Sequence, residues 1–110
     1  MTEPAEDNPV LDLLADMTGA SIVASSLDPA TLALVRIAAL VAVDAPPVSY
    51  LLNLEAASDL GIDADRVRGV LTAIAPIVGT ARVASATARI VEALSIEIEI
   101  AELATEQANA

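Results

Sequence analysis

The stretch PATLALVRIAALVAV, Pro29 to Val43, carries one charge, Arg36. Ahead of it, Leu27-Asp28-Pro29 supplies an N-cap aspartate and a proline at the first helical position, the signature of a helix start. Asp44-Ala45-Pro46-Pro47 ends the run, since a residue before proline is pushed out of the helical region. Leu32, Val35, Ala39 and Ala42 form one stripe of this helix, and Leu34, Ile37, Ala38 and Val41 form a second. A helix that is apolar around most of its circumference is central and buried. Whatever else the chain does, it must wrap this element.

The flanking segments read as helices too. Met1 to Asn8 is polar and acidic and reads as frayed. Pro9 starts a helix to about Thr18, with Val10, Leu13, Leu14 and Met17 on one stripe. Gly19 to Ser26 reads as a connector. A third helix runs from about Pro47 to Leu60, with Gly61 as its C-terminal cap. Asp63 caps a fourth, with Asp65 in its first turn; Pro76 tightens its end and Gly79 closes it. Thr80 caps a last helix from Ala81 to roughly Leu103, and the polar tail from Ala104 frays. Ile96-Glu97-Ile98-Glu99-Ile100 alternates with period two, a strand signal. A lone strand has no partner, so we read it as helix, its isoleucines facing another subunit. The expectation is a single all-α domain over residues 1–110, of about five or six helices.

Composition narrows the function. The chain has no Cys and no His, so disulfides, thiol redox centres and the two commonest transition-metal ligands are absent from it. Sixteen acids against five arginines give a net charge of −11. That argues against nucleic acid, which requires Lys/Arg clusters, and against an anionic membrane surface. The acidic N-terminus lacks the form of a signal peptide, and runs such as Gly69 to Ala81 fall short of a membrane span. We read the chain as cytoplasmic. The hydrophobic fraction is 55%, and Tyr50 is the one aromatic residue. An Ala, Val, Leu and Ile core buries little area per helix, so we expect subunits of a homo-oligomer to share a core.

The ordered set Leu27-Asp28-Pro29-x-Thr31, then LVRIAALVAV, then Glu55-Ala56-Ala57…Gly61, then IDADRVRGVLTAIAPIVGTARV resembles the carboxymuconolactone decarboxylase and AhpD-type alkylhydroperoxidase family. The resemblance covers about residues 27–94 and implies a helical fold and a homo-oligomer, commonly a trimer or hexamer. The family's peroxidase branch has Cys-x-x-Cys at the start of the helix after the LDP helix, with a His four residues beyond the second Cys. Here those positions are Pro46, Ser49 and Asn53. The family's relay also uses a Glu on the preceding helix, and Pro29 to Val43 contains no carboxylate. Ser49 is no substitute for a thiolate, because its hydroxyl is far less acidic and has no base beside it. The lactone decarboxylase branch lacks the cysteines but usually keeps the His; Asn53 hydrogen-bonds but does not shuttle a proton near neutrality.

Four residues remain as ligand-binding candidates: Arg36, Ser49, Tyr50 and Asn53. Ser49 and Asn53 lie four apart on one helical face, with Tyr50 adjacent. They form either a remnant pocket for a small molecule, or a helix cap, a backbone hydrogen bond and a subunit contact respectively. Arg36 anchors a carboxylate ligand, pairs with an acid such as Glu55 or Asp44, or snorkels to a subunit boundary. Arg66, Arg68, Arg82 and Arg89 read as ion-pairing residues on the surface or across an interface. Asp59, Asp63 and Asp65 miss the spacing of a calcium loop and read as helix-end residues. Glu97, Glu99, Glu102 and Glu106 read as a solvated acidic face. No cofactor or metal is implied. The expectation is therefore a diverged, non-catalytic oligomeric binding or interaction module. The alternative is a cofactor-free lactone decarboxylase or isomerase in which Ser49, Tyr50, Asn53 and Arg36 stabilise an enolate.

Overall fold

The structure, a computed structural model, describes residues 8–108, with side chains at all of these except 95–101, 104 and 108. Five helices follow one another among the described residues: α1 (Pro9–Ala24), α2 (Pro29–Ala42), α3 (Pro47–Asp59), α4 (Ala64–Val78) and α5 (Thr80–Ala108).

Local chemistry explains most of the boundaries. The Asp28 carboxylate accepts the Thr31 N–H at 3.2 Å and the Thr31 hydroxyl at 2.6 Å, and Pro29 opens α2 behind that cap. Asp63 accepts the Arg66 N–H at 3.0 Å and starts α4 in the same way. At the end of α3, Gly61 sits at φ 77°, its N–H donates to Ser58 O, and the Ile62 N–H reaches back to Ala57 O. This paired return is a Schellman ending, which needs the left-handed conformation that glycine adopts freely.

Several boundaries differ from the sequence reading. Helix α1 runs to Ala24 rather than Thr18, capped by Asn8, whose side-chain oxygen accepts from Val10 and Leu11 N–H. Gly19 lies inside it, because a single glycine costs a helix only about 1 kcal/mol and no proline follows before Pro29. Asn8 is therefore ordered as a cap, while residues 1–7 lie outside the described residues. Helix α5 begins at Thr80 itself, which thus stands within the helix rather than capping it. It continues through 96–100 to Ala108, past the frayed tail expected from Ala104. Where the isoleucines of 96–100 face lies outside the described residues.

The core lies along one side of α2, which packs on α3, α4 and α5. Ala33, Ile37 and Val41, four residues apart, form its buried line. Val41 joins Ala45, Tyr50, Ala86 and Ala93, while Ala33 and Ile37 join Ala57 and Ile62. Leu54 touches both groups. The opposite stripe of α2 is open: Val35 is 49% exposed. So α2 is central, as its composition demands, but its burial within one chain is one-sided. Helix α1 has no buried residue at all. No described helix is long and apolar enough to cross a membrane.

Candidate functional site

The turn between α2 and α3 and the first turns of α3 hold the sequence-predicted candidates, and the structure divides them between two places. Tyr50 points into the core and is fully buried within its own chain. This corrects the reading of Tyr50 as a subunit contact: alanines at 45, 86 and 93 leave the space that its ring fills. Its hydroxyl has no hydrogen-bond partner among the described residues. Burial raises its pKa above the ordinary 10.0, the nearby Asp44 carboxylate adds to the rise, and Arg89 opposes it.

Asn53 and Arg36 come together on the other side of α3. Both line a groove of about 240 Å³ closed by Ile22, Leu27, Leu32 and Leu60, where the end of α1 meets α2 and α3. Arg36 does not pair with Glu55 or Asp44. Its Nη2 donates to Ser21 Oγ at 3.1 Å, and no acid lies within ion-pair distance among the described residues. The reason is geometric: Asp44 turns toward α5, and Glu55 is exposed. Asn53 Nδ2 donates to the Ser49 carbonyl at 2.8 Å, one turn back. Ser49 does not cap α3. The capping position is Pro46, which makes no side-chain cap hydrogen bond, and Ser49 N–H closes the first turn on Pro46 O at 3.1 Å.

One cluster escaped the sequence reading. Asp44 has φ 55°, the only positive value at a non-glycine residue among the described residues. Its Oδ1 accepts the Ser85 hydroxyl at 2.7 Å and faces Arg89 Nε at 3.4 Å; that Nε also donates to Ser85 Oγ at 3.2 Å. The three groups tie the strained α2–α3 turn to α5. Ser85 and Asp44 are 41 residues apart, so the only trace in the sequence is an Asp placed before Ala-Pro-Pro, in a conformation Asp tolerates better than most. Arg68 pairs with Asp65 at 3.1 Å on the exposed start of α4, and Asp63 is the α4 cap. Both acids thus serve helix-end roles, and no group of three metal-binding side chains occurs among the described residues.

Chemically, the start of α3 offers a proline, a serine without an adjacent base and an amide already engaged with its own helix. The neighbouring groove offers one guanidinium held by a hydroxyl, inside mostly apolar walls. Serine hydroxyl, amide and guanidinium are groups that donate or accept hydrogen bonds but do not exchange a proton near pH 7.

No curated protein and no solved structure matches the chain. The sequence pattern of the carboxymuconolactone decarboxylase family matches residues 8–93, taking in α1 as well as the segment from Leu27 onward, and the chain belongs to that family.

Proposed function

We propose that this chain is a diverged, non-catalytic member of its family, a cytoplasmic homo-oligomer that acts as a binding or interaction module. Thiol peroxidase chemistry has no place in it, because peroxide reduction by a dithiol requires a thiolate and a resolving thiol, and the chain has neither. The observation that carries the reading is the engaged state of Asn53. Its amide is committed to the Ser49 carbonyl, at the position where the family resemblance puts a histidine. A trimer or hexamer is part of the proposal, supported by the apolar surface left open on α1 and α2.

A second reading, the cofactor-free lactone decarboxylase or isomerase, draws on one observation: Arg36 and Asn53 share a groove. A carboxylate on a small ligand would find Arg36 there without a competing acid. Ser49 and Tyr50 do not line that groove, which leaves an enolate with two polar groups rather than four.

The two readings part on a direct assay. An unsaturated γ-lactone carboxylate is incubated with the protein and followed by NMR for carbon dioxide loss or double-bond migration. The proposal expects rates equal to buffer. Turnover that disappears in Arg36→Ala and Asn53→Ala would sink the non-catalytic reading and establish the second.

A further inference from the structure

Arg36 stands apart from the acids of this chain. It is the single charge on α2 and is half-buried. Sixteen acids face five arginines in the sequence, yet among the described residues none of those acids lies within ion-pair distance of Arg36. No acid lines its groove of about 240 Å³ either; Ile22, Leu27, Leu32 and Leu60 close that groove around the guanidinium. A positive charge beside apolar walls attracts an anion more strongly than one in open water, because less solvent screens it. The guanidinium is also held in place. Its Nη2 donates to Ser21 Oγ at 3.1 Å, which uses one of the five N–H donors that an arginine carries. The Ser21 hydroxyl accepts in that bond and keeps its own proton to donate. Asn53, on the same groove, gives one Nδ2 hydrogen to the Ser49 carbonyl and keeps a second.

We propose that this groove binds a small aliphatic monocarboxylate, its carboxylate on Arg36 and its hydrocarbon body along Ile22, Leu27, Leu32 and Leu60. This deepens the binding reading above, on which it rests, by naming the ligand. Charge sets the head group. The planar fork of a guanidinium matches the two oxygens of a carboxylate, and such paired, charge-assisted bonds are about twice as strong as neutral ones. The walls set the body, since they offer hydrocarbon a dry surface and offer a sugar or nucleoside few partners. Arg36 is the one cation among the lining residues, so a second carboxylate would lie against leucine and isoleucine; a dicarboxylate is disfavoured. Volume sets the length. A cavity of roughly 150 Å³ holds benzene, and drug-sized ligands take about 300 Å³ or more. The 240 Å³ here falls between them and suits a chain of about six carbons. Ser21 is a positioning residue: it holds the guanidinium at the mouth of the groove and can turn its proton toward the bound carboxylate.

Hexanoate is the probe, titrated into the full-length protein and followed by amide NMR. Saturable shifts are expected at Ile22, Leu27, Arg36 and Asn53. Hexanamide, which keeps the tail and loses the charge, should bind roughly tenfold more weakly, and adipate should also bind more weakly than hexanoate. Arg36→Met keeps the length of the side chain and should weaken hexanoate by roughly thirtyfold; Arg36→Lys, which keeps the charge without the fork, should weaken it by less. Ala56→Asp leaves Arg36 intact and sets a competing carboxylate on an exposed lining position, so it too should weaken binding while the fold is retained. No saturable shift at about 10 mM, above the dissociation constant expected for a ligand of this size, overturns the inference. Equal affinity for hexanoate and hexanamide overturns it, as does a hexanoate affinity unchanged in Arg36→Met. Shifts confined to the groove between α3, α4 and α5 overturn it too. Each of these results leaves the non-catalytic module standing. That reading fails separately, in the lactone assay, where hexanoate takes no part.

Discussion

Tyr50 concentrates the tension between packing and polarity in this core. Among the described residues its ring is the largest fully buried side chain, and its hydroxyl meets no partner there. Leaving a buried hydroxyl unpaired costs about 1–3 kcal/mol, so Tyr50→Phe is predicted to keep stability or raise it by about 1 kcal/mol in urea unfolding. A loss of similar size would mean that the hydroxyl has a partner. The pH dependence follows from the same burial. The folded-state pKa lies above the unfolded value of about 10, so folding favours the neutral phenol. That contribution is complete below pH 10 and is lost as pH rises through the raised value. Since Tyr50 is the only tyrosine, tyrosinate absorbance should appear above pH 10, together with unfolding, and the alkaline loss should be absent from Tyr50→Phe. Position 50 is legible in the sequence as the sole aromatic residue, but its direction is not. Which side of α3 faces inward depends on alanines at 86 and 93, some forty residues on. The Asp44–Ser85–Arg89 cluster is hidden for the same reason, since each of its residues looks ordinary beside its sequence neighbours.

Among the elements, helix starts were readable wherever a cap and a proline or first-turn acid coincide. Asp28-Pro29 and Asp63 stand where their side chains close the first turn, and Gly61 stands where the chain needs positive φ. Asp63→Ala should cost about 1 kcal/mol by thermal or urea unfolding, the usual loss for a missing cap. No change would indicate that packing alone holds the start of α4. The misreadings share a cause. Gly19 and the polar tail after Leu103 are weak breakers, and weak propensities yield to an uninterrupted run of helix formers. Alanine plays the opposite part. Ala86 and Ala93, seven apart on α5, are 1% and 0% exposed and let that helix close on Tyr50 and Val41. Ala93→Leu should cost about 1–3 kcal/mol through overpacking. A neutral result would show spare room at the α5 contact.

For the molecule as a whole, the balance of surface is the decisive quantity. Seven large apolar residues of α1 and the outward stripe of α2 are exposed in a chain of net charge −11. Scattered apolar residues are normal on a surface, but a whole helix without a buried residue is not. The all-α class was legible from the succession of caps, prolines and glycines that bound each helical run from Pro9 to Leu103, and Pro29–Val43 marked the element that its neighbours must cover. How those neighbours divide between one chain and its copies was not, because periodicity marks a buried face without naming what buries it. Native mass spectrometry of the freshly purified protein tests this directly, as it counts chains and reports any retained small molecule together. The account predicts one dominant species, a trimer or a hexamer, with no covalent or redox-active group attached. A monomer at micromolar concentration would contradict it, leaving α1 as an apolar helix that water alone surrounds.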